Sequence, residues 1–351
     1  MPLARSQTVD PDEIQLIHTW TRNVRRSFIC GYDELLGIDY EHRREWFRDR
    51  EEFLASIYAI DIITFAIMHN HHHQLLRTRP DVVKTLTNEQ VVRRLMKLEY
   101  DRWFFPDGSD RKSTKAVVRK RINDPTFIQA ARRRLSNVSK FMQSLNQHIA
   151  KKANAEDGCA GSFFEQRFGH EVLADTPAVL ACKMYIDLNP IRASIASTPE
   201  ESEFTGVYER INDLRMFLVE SDGDVELRLG HSSPEVHQWE RLGQGGSAWL
   251  SPVEIDERLD PIGPDVEPSG RRASRKGLLP MPLLKYLDLL DFTGRRIRTD
   301  KRGAIPVGIN PILTRIGIAF ESLVNAIEEL ALRHQPYFDS TERNGRPDRH
   351  R

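Results

Sequence analysis

The sequence has few cysteines and no long apolar run. Its 351 residues include three cysteines, which lie far apart and form no C-x-x-C pair. This usage argues against a disulfide framework and a zinc ribbon and favours a reducing compartment, so we predict a cytoplasmic protein. No apolar run reaches the roughly 18 residues that a membrane-spanning helix needs. Residues 1–15 lack the apolar region of a secretory signal, and we expect no membrane partner.

The sequence also lacks an excess of charge of either sign. Lys and Arg total 51, and Asp and Glu also total 51. The net charge therefore neither indicates nor excludes a nucleic-acid partner. Locally, residues 111–134 hold nine Lys or Arg against one acid, Asp124. Such a run creates a basic surface on a neutral protein, although an ordinary solvated helix face explains it equally well.

Apolar periodicity predicts a mixture of strands and helices in the first 200 residues. We predict strands over residues 14–22, 60–68, 71–77 and 163–173. We predict helices over residues 41–58, 87–104, 111–134 and 136–152, and from Thr176 towards Asn189. The strand at 60–68 is apolar on both faces, and it forms a hairpin with the next strand. This order favours an α+β fold, a ferredoxin-like antiparallel sheet with helices on one face.

Composition changes along the second half of the chain. Five prolines and a GQGG run fall between residues 233 and 277. We therefore predict a catalytic domain over 1–200, followed by an irregular extension or linker over 201–277. Apolar stripes predict a helical C-terminal region over 278–335. The last residues, 336–351, are predicted to be a disordered tail.

The densest candidate site is the segment MHNHHHQLL at residues 68–76. Side chains alternate along a strand, so His71 and His73 share one face with Cα atoms about 7 Å apart. Both imidazoles could therefore bind one metal ion. His72 is predicted to point to the opposite face, and His69 lies on the turn. The simpler interpretation is a histidine-rich strand with no ligand, because short motifs often arise by chance.

A second candidate lies on the predicted helix that begins at Thr176. Tyr185 and Asn189 are four residues apart and share a helix face. A tyrosine beside a side-chain amide could place a nucleophile next to a third metal ligand. Spacing alone favours the plainer interpretation, in which Tyr185 is a partly buried helix residue and Asn189 ends the helix before Pro190.

Three motifs in this order resemble those of a known family. They are M-H-N-H-H-H-Q-L-L at 68–76, G-S-F-F-E-Q-R-F at 161–168 and Y-I-D-L-N-P-I-R-A at 185–193. Together with I-H-T-W-T-R-N-V-R-R-S-F at 17–28, they resemble the HUH single-tyrosine transposases, and within these the REP-associated type. The resemblance covers about residues 14–200. The chain departs from the family pattern at His69 and His72, and it has Phe164 where the family usually has Trp.

The resemblance implies an enzyme that cuts and rejoins single-stranded DNA near a hairpin. Tyr185 would be the nucleophile of a 5′-phosphotyrosine intermediate. A divalent metal, Mg²⁺ or Mn²⁺, would be bound by His71 and His73, with Asn189 as third ligand. The family suggests a nucleoid-associated protein and leaves open whether a homodimer forms.

The same resemblance gives a role to basic residues near the motifs. Arg22, Arg25 and Arg26 follow the first strand and would contact DNA phosphates, as would Arg167. The 111–134 run could do the same along a hairpin stem.

Two other functions fit part of the pattern. A non-catalytic DNA-binding relative of the family would keep the fold and lose the chemistry. A histidine-triad-like nucleotide hydrolase would use His69, His71 and His73. Its intervening residues should be apolar, whereas this chain has Asn70 and His72, so the motif fits that class poorly.

Overall fold

The protein is described by a computed structural model that covers residues 9–24, 30–34, 37–99, 111–220, 234–255, 262–296 and 301–316. Its strands are β1 (Leu16–Arg22), β2 (Tyr32–Asp33), β3 (Ile38–Asp39), β4 (Ile60–Ile67), β5 (His71–Thr78) and β6 (Gly169–Leu173). Four of them form an antiparallel sheet in the order β4-β5-β1-β6. The strands β2 and β3 pair separately.

Twelve α-helices surround these strands in the part of the chain described above. They are α1 (Arg43–Ala55), α2 (Pro80–Thr85), α3 (Asn88–Glu99), α4 (Arg111–Ile122), α5 (Pro125–Leu135), α6 (Val138–Glu156), α7 (Thr176–Asp187), α8 (Asn189–Arg192), α9 (Gly206–Glu220), α10 (Pro234–Leu242), α11 (Leu283–Gly294) and α12 (Ile312–Arg315). A single 3₁₀ turn, Pro199–Glu201, lies between α8 and α9. None of these helices is long and apolar enough to cross a lipid bilayer.

The sheet confirms the predicted α+β class. β1 and β4 are joined through α1, and β5 lies between them and is antiparallel to both. This is the split β-α-β arrangement of ferredoxin-like folds. β6 then pairs with the free edge of β1. The two hairpin strands β4 and β5 meet at His69 and Asn70, so the histidine-rich segment starts at one end of the sheet.

Helices cover both faces of this sheet, whereas the sequence predicted helices on one face. On the first face, α1 and α6 pack Phe47 and Phe141 against Phe65 of β4. On the second face, α7, α9 and α11 pack apolar side chains against Met68 and Leu75. The reason is visible in β4, where all eight residues are buried. A strand that is apolar on both sides requires a layer on each side.

The stretch 201–277 is not a linker or an irregular extension, because it contains α9 and α10 and packs against the sheet. The ring of Trp249 is fully buried and lies 5.3 Å from that of Phe65. Leu250 forms a bridge to Ile62 of β4. The prolines and glycines that suggested a linker instead shape a segment without regular structure that contributes to the core. The division of the chain into domains stays a prediction.

Two further observations concern element ends. The predicted strand over 163–173 is shortened to β6, because Phe163, Phe164 and Phe168 all pack into the core instead of alternating. α7 begins at Thr176, and its N-cap is Asp175, whose carboxylate accepts a hydrogen bond from the backbone N–H of Ala178. An Asp at this position satisfies a free N–H of the first turn.

Candidate functional site

The histidines of β5 are divided between the two faces of the sheet, as predicted. His72 is fully buried on the first face, with its ring 5.0 Å from that of Phe47. His71 and His73 lie on the second face, with ring centroids 5.0 Å apart. The fourth histidine of the segment, His69, lies on the turn against Gly31. A Cβ at Gly31 would come within 2.7 Å of that ring, and its φ of +87° also favours glycine.

Hydrogen bonds leave one nitrogen of each second-face ring for another ligand. The Nδ1 of His71 lies 2.6 Å from Oδ1 of Asn70. An amide oxygen only accepts, so Nδ1 donates and Nε2 of His71 keeps its lone pair. The Nδ1 of His73 lies 3.0 Å from Nε2 of His18 on β1. If His73 donates in this pair, its own Nε2 is also left with a lone pair.

Burial keeps these imidazoles neutral near pH 7. It lowers the pKa of His18 and of His71 to about 4, and it lowers the pKa of His73 well below its usual value. Arg22 adds a smaller effect of the same sign at His71. The neutral ring is the form that binds metal ions. The second-face histidines are thus suited to ligand binding without prior deprotonation.

Tyr185 lies beside this pair on the exposed side of α7. Its side chain is 45% exposed, and its ring centroid lies 5.5 Å from His73 and 6.1 Å from His18. These rings border an open cavity of about 530 Å³, whose wall also includes Trp20 and Arg22. An accessible phenol beside two imidazoles and a guanidinium is an arrangement able to bind and attack a phosphate.

The opposite side of α7 is fixed by a buried cluster that we call the Asp187 cluster. Its members are Thr64 on β4, Lys183 and Asp187 on α7, and Tyr286 on α11. Asp187 accepts hydrogen bonds from the hydroxyls of Thr64 and Tyr286 and, at 2.7 Å, from Nζ of Lys183. Burial lowers the pKa of Lys183 to about 8. The cluster joins the tyrosine helix to the sheet and to the C-terminal region.

Asn189 lies apart from the cavity. α7 ends at Asp187, and Asn189 begins the short α8 just before Pro190. It does not line the cavity, and its amide nitrogen is buried with no hydrogen-bond partner among the residues described. The structure thus places Tyr185 beside His73, and His73 beside His71, which does not itself line the cavity. The role of Asn189 as a ligand stays a prediction.

The predicted DNA-binding arginines are partly described. Arg22 is exposed at the cavity wall, and Arg167 is exposed on the loop before β6. Arg25 and Arg26 lie outside the described residues. Arg192, in contrast, donates to the backbone carbonyls of Thr293 and Arg296 at the end of α11.

His18 is the site residue that sequence reasoning missed. A single histidine in an alternating strand carries little information alone. The signal was its spacing: His18, Trp20 and Arg22 are each two residues apart, so they share a face of β1. Antiparallel pairing sets Trp20 opposite His73, which brings His18 within diagonal reach of that ring.

The side chains around His71 and His73 supply only part of a metal-binding site. Within the described ranges, no group of three or more His, Cys, Asp or Glu side chains is arranged to hold a metal ion. His71 and His73 would supply two imidazoles, with His18 as the outer hydrogen-bond partner that orients His73. Such outer partners commonly fix the ring and the tautomer of a ligand. The remaining ligands would come from solvent or from a bound phosphate.

Comparison with known proteins gives one weak likeness. No protein-family model and no curated protein matches the sequence. A solved structure of a REP-associated tyrosine transposase bound to a REP hairpin aligns with 58% of this chain and 81% of that chain. The TM-score is 0.32 and the sequence identity 11%. A likeness this weak shows neither the activity nor the substrate of this chain.

Proposed function

We propose that the protein is a metal-dependent endonuclease and strand transferase acting on single-stranded DNA near hairpins. The observation that carries the proposal is the half-exposed ring of Tyr185 beside His73, in the wall of an open cavity that Arg22 also lines. The three motifs of the sequence point to the same residues independently of this geometry.

Tyr185 is the nucleophile in this proposal. Its phenol oxygen forms a bond to a backbone phosphorus, and the bond from that phosphorus to the 3′ oxygen breaks. The phenolic proton leaves Tyr185, the 3′ oxygen takes up a proton, and the DNA is held as a 5′-phosphotyrosine. Attack by a 3′-OH on this link rejoins a strand without an external energy source.

His71 and His73 are the proposed metal-binding residues, and each would offer Nε2. Their imidazoles favour Mn²⁺ over Mg²⁺, although water and phosphate oxygens can complete a Mg²⁺ shell. The metal would neutralise charge that develops on the scissile phosphate. Asn189 is retained as a proposed third ligand.

Arg22 would hold the DNA backbone at the entrance of the cavity. Its exposed guanidinium lies on the same face of β1 as His18 and Trp20, and all three line the cavity. The planar ring of Trp20 offers a surface on which an unpaired base can stack. Arg167 would extend this contact along the loop before β6.

The test is a covalent-adduct assay with labelled hairpin DNA from the genomic flanks, in Mn²⁺ or Mg²⁺. We expect a protease-sensitive, slowly migrating DNA band with the wild-type chain and none with Tyr185→Phe. The matched control is Tyr32→Phe, which changes another exposed tyrosine on β2. An adduct that persists in Tyr185→Phe would disprove the assignment. DNA binding without any adduct in the wild type would favour the non-catalytic relative.

A further inference from the structure

A second basic surface lies on the helices inserted between β5 and β6. α3 and α4 form the walls of an open groove of about 440 Å³. Three cations line it, Arg93 from α3 and Lys115 and Arg119 from α4, together with Glu89 and the amide of Asn123. The groove shares no lining residue with the cavity at Tyr185.

Some basic residues of this region make bonds within the protein. Arg121 makes an ion pair with Glu99 at 2.5 Å and covers the ring of Phe127. Arg132 donates to the backbone carbonyls of Val83 and Leu86 at the end of α2. These two arginines hold the helices together and are not available to a ligand.

Other basic residues of the run remain available. Lys115, Arg119, Lys120 and Arg133 are exposed, and none makes an ion pair with another described residue. The one acid of the run, Asp124, is occupied as the N-cap of α5, where it accepts from the N–H of Phe127. The positive charge of the groove is therefore not neutralised from within the run.

The acid that does line the groove is held weakly. Glu89 pairs with Arg93 at 2.6 Å across one turn of α3, and both side chains are more than half exposed. Exposed pairs of this kind contribute little to stability, so a phosphate could replace Glu89 beside Arg93. Lys115 and Arg119 are one helical turn, about 6 Å, apart. That separation matches the axial rise of about two nucleotides.

We propose that this groove binds the sugar-phosphate backbone of the hairpin stem, while the cavity at Tyr185 handles the single strand. This rests on the proposed function for the choice of DNA. A basic surface could also bind an anionic membrane, and amphipathic helices that lie in a membrane interface bury large apolar side chains there. None of the large exposed hydrophobic residues found in the described ranges lies on α3, α4 or α5.

The experiment measures hairpin affinity in the Tyr185→Phe background, so that cleavage does not interfere. Each phosphate contact makes the fall of log K with log salt steeper by about 0.9. For the pair Lys115→Gln and Arg119→Gln, which removes two contacts, we therefore expect a fall that is shallower by about 1.8. Between 50 and 200 mM salt, the variant should lose about tenfold less affinity than its parent.

The matched control is the pair Lys84→Gln and Lys140→Gln, which removes two exposed charges that do not line the groove. A groove variant whose affinity and slope equal those of this control would overturn the proposal. Loss of binding to phosphatidylserine vesicles with unchanged DNA binding would overturn it in favour of a membrane.

The two proposals fail in different ways. With Tyr185 intact, the groove variant should still form the covalent adduct on hairpin DNA once the protein concentration is raised to compensate for weaker binding. Absence of an adduct on hairpin DNA in the wild-type chain would remove the proposed nuclease activity. The change in salt slope on the hairpin would still report on the groove.

Discussion

The two faces of the central sheet hold the neighbouring histidines His72 and His73 in opposite ways. On the second face, His73 is hydrogen-bonded to His18, and Asp187 receives three donors. On the first face, His72 is fully buried, and neither ring nitrogen has a partner among the described residues. His72 and His73 are chain neighbours of one residue type. Their different surroundings follow only from the alternation of the strand.

The difference shows what separates a functional group from a tolerated one. A buried polar atom without a partner costs about 1–3 kcal/mol. The first face accepts this cost at His72, where apolar packing against Phe47 is the local gain. On the second face, His73 is paired with His18, and both rings line the cavity at Tyr185. On α7, the buried side makes hydrogen bonds through Asp187 and the other side exposes the phenol of Tyr185. We take this combination as typical of a functional site.

The largest expected effect comes from His73→Ala. It removes a proposed metal ligand and the partner of His18, and we expect metal-dependent cleavage to fall by about 100-fold or more. The measurements are adduct formation and the affinity for Mn²⁺ by calorimetry. The matched control is His72→Leu, a change at the adjacent position on the other face. Equal loss of cleavage in both variants would contradict the division between faces.

The next effect tests the Asp187 cluster. Asp187→Asn keeps the shape of the side chain but leaves the buried ammonium of Lys183 without its counter-charge. We expect the free energy of unfolding to fall by about 3 kcal/mol, measured by urea denaturation. Asp288→Asn on the exposed side of α11 should change it by less than about 0.5 kcal/mol. A stability of Asp187→Asn equal to that of Asp288→Asn would show that the cluster contributes little.

A smaller effect, of opposite sign, is expected at His72. His72→Leu removes two buried nitrogens that have no described partner and keeps an apolar side chain against Phe47. We expect the free energy of unfolding at pH 7 to rise by about 1 kcal/mol, with cleavage unchanged. A destabilised variant would mean that His72 has a polar partner outside the described residues.

The same variant gives a pH prediction. Burial lowers the pKa of His72 to about 3, from an ordinary value of 6.5. Between these values the unfolded chain binds a proton that the folded chain does not, so stability falls as the pH falls below 6.5. From pH 7 to pH 5 this group removes about 2 kcal/mol. His72→Leu should lose that much less stability than the wild type over the same range.

Much of the sheet could be predicted because its strands carry strong local signals. β4 is largely apolar and buried throughout, β5 begins directly after the turn, and α1 has a clear apolar stripe. Residues 233–277 could not be predicted, because Pro and Gly mark irregular backbone whether it is exposed or buried. Trp249 and Leu250 were the signal that this segment packs, and composition outweighed them.

The grouping of the candidate residues could be predicted only as far as local spacing reaches. Alternation along a strand put His71 and His73 on one face, whereas Tyr185 was singled out by the family resemblance, since helix spacing alone favoured a partly buried residue. His18 lies on another strand, so its place beside His73 depends on strand pairing, which a single sequence does not set. Asn189 was placed by assuming that one helix continues, whereas α7 ends at Asp187.

The Asp187 cluster also bears on when the site is completed during synthesis. Tyr286 lies 99 residues after Asp187 in the chain, and Arg192 holds the carboxyl end of the same helix that carries Tyr286. The residues of α7 are therefore synthesised well before Tyr286. The hydrogen bond from Tyr286 to Asp187 can form only after the C-terminal region has left the ribosome, so the Asp187 cluster is completed late in synthesis.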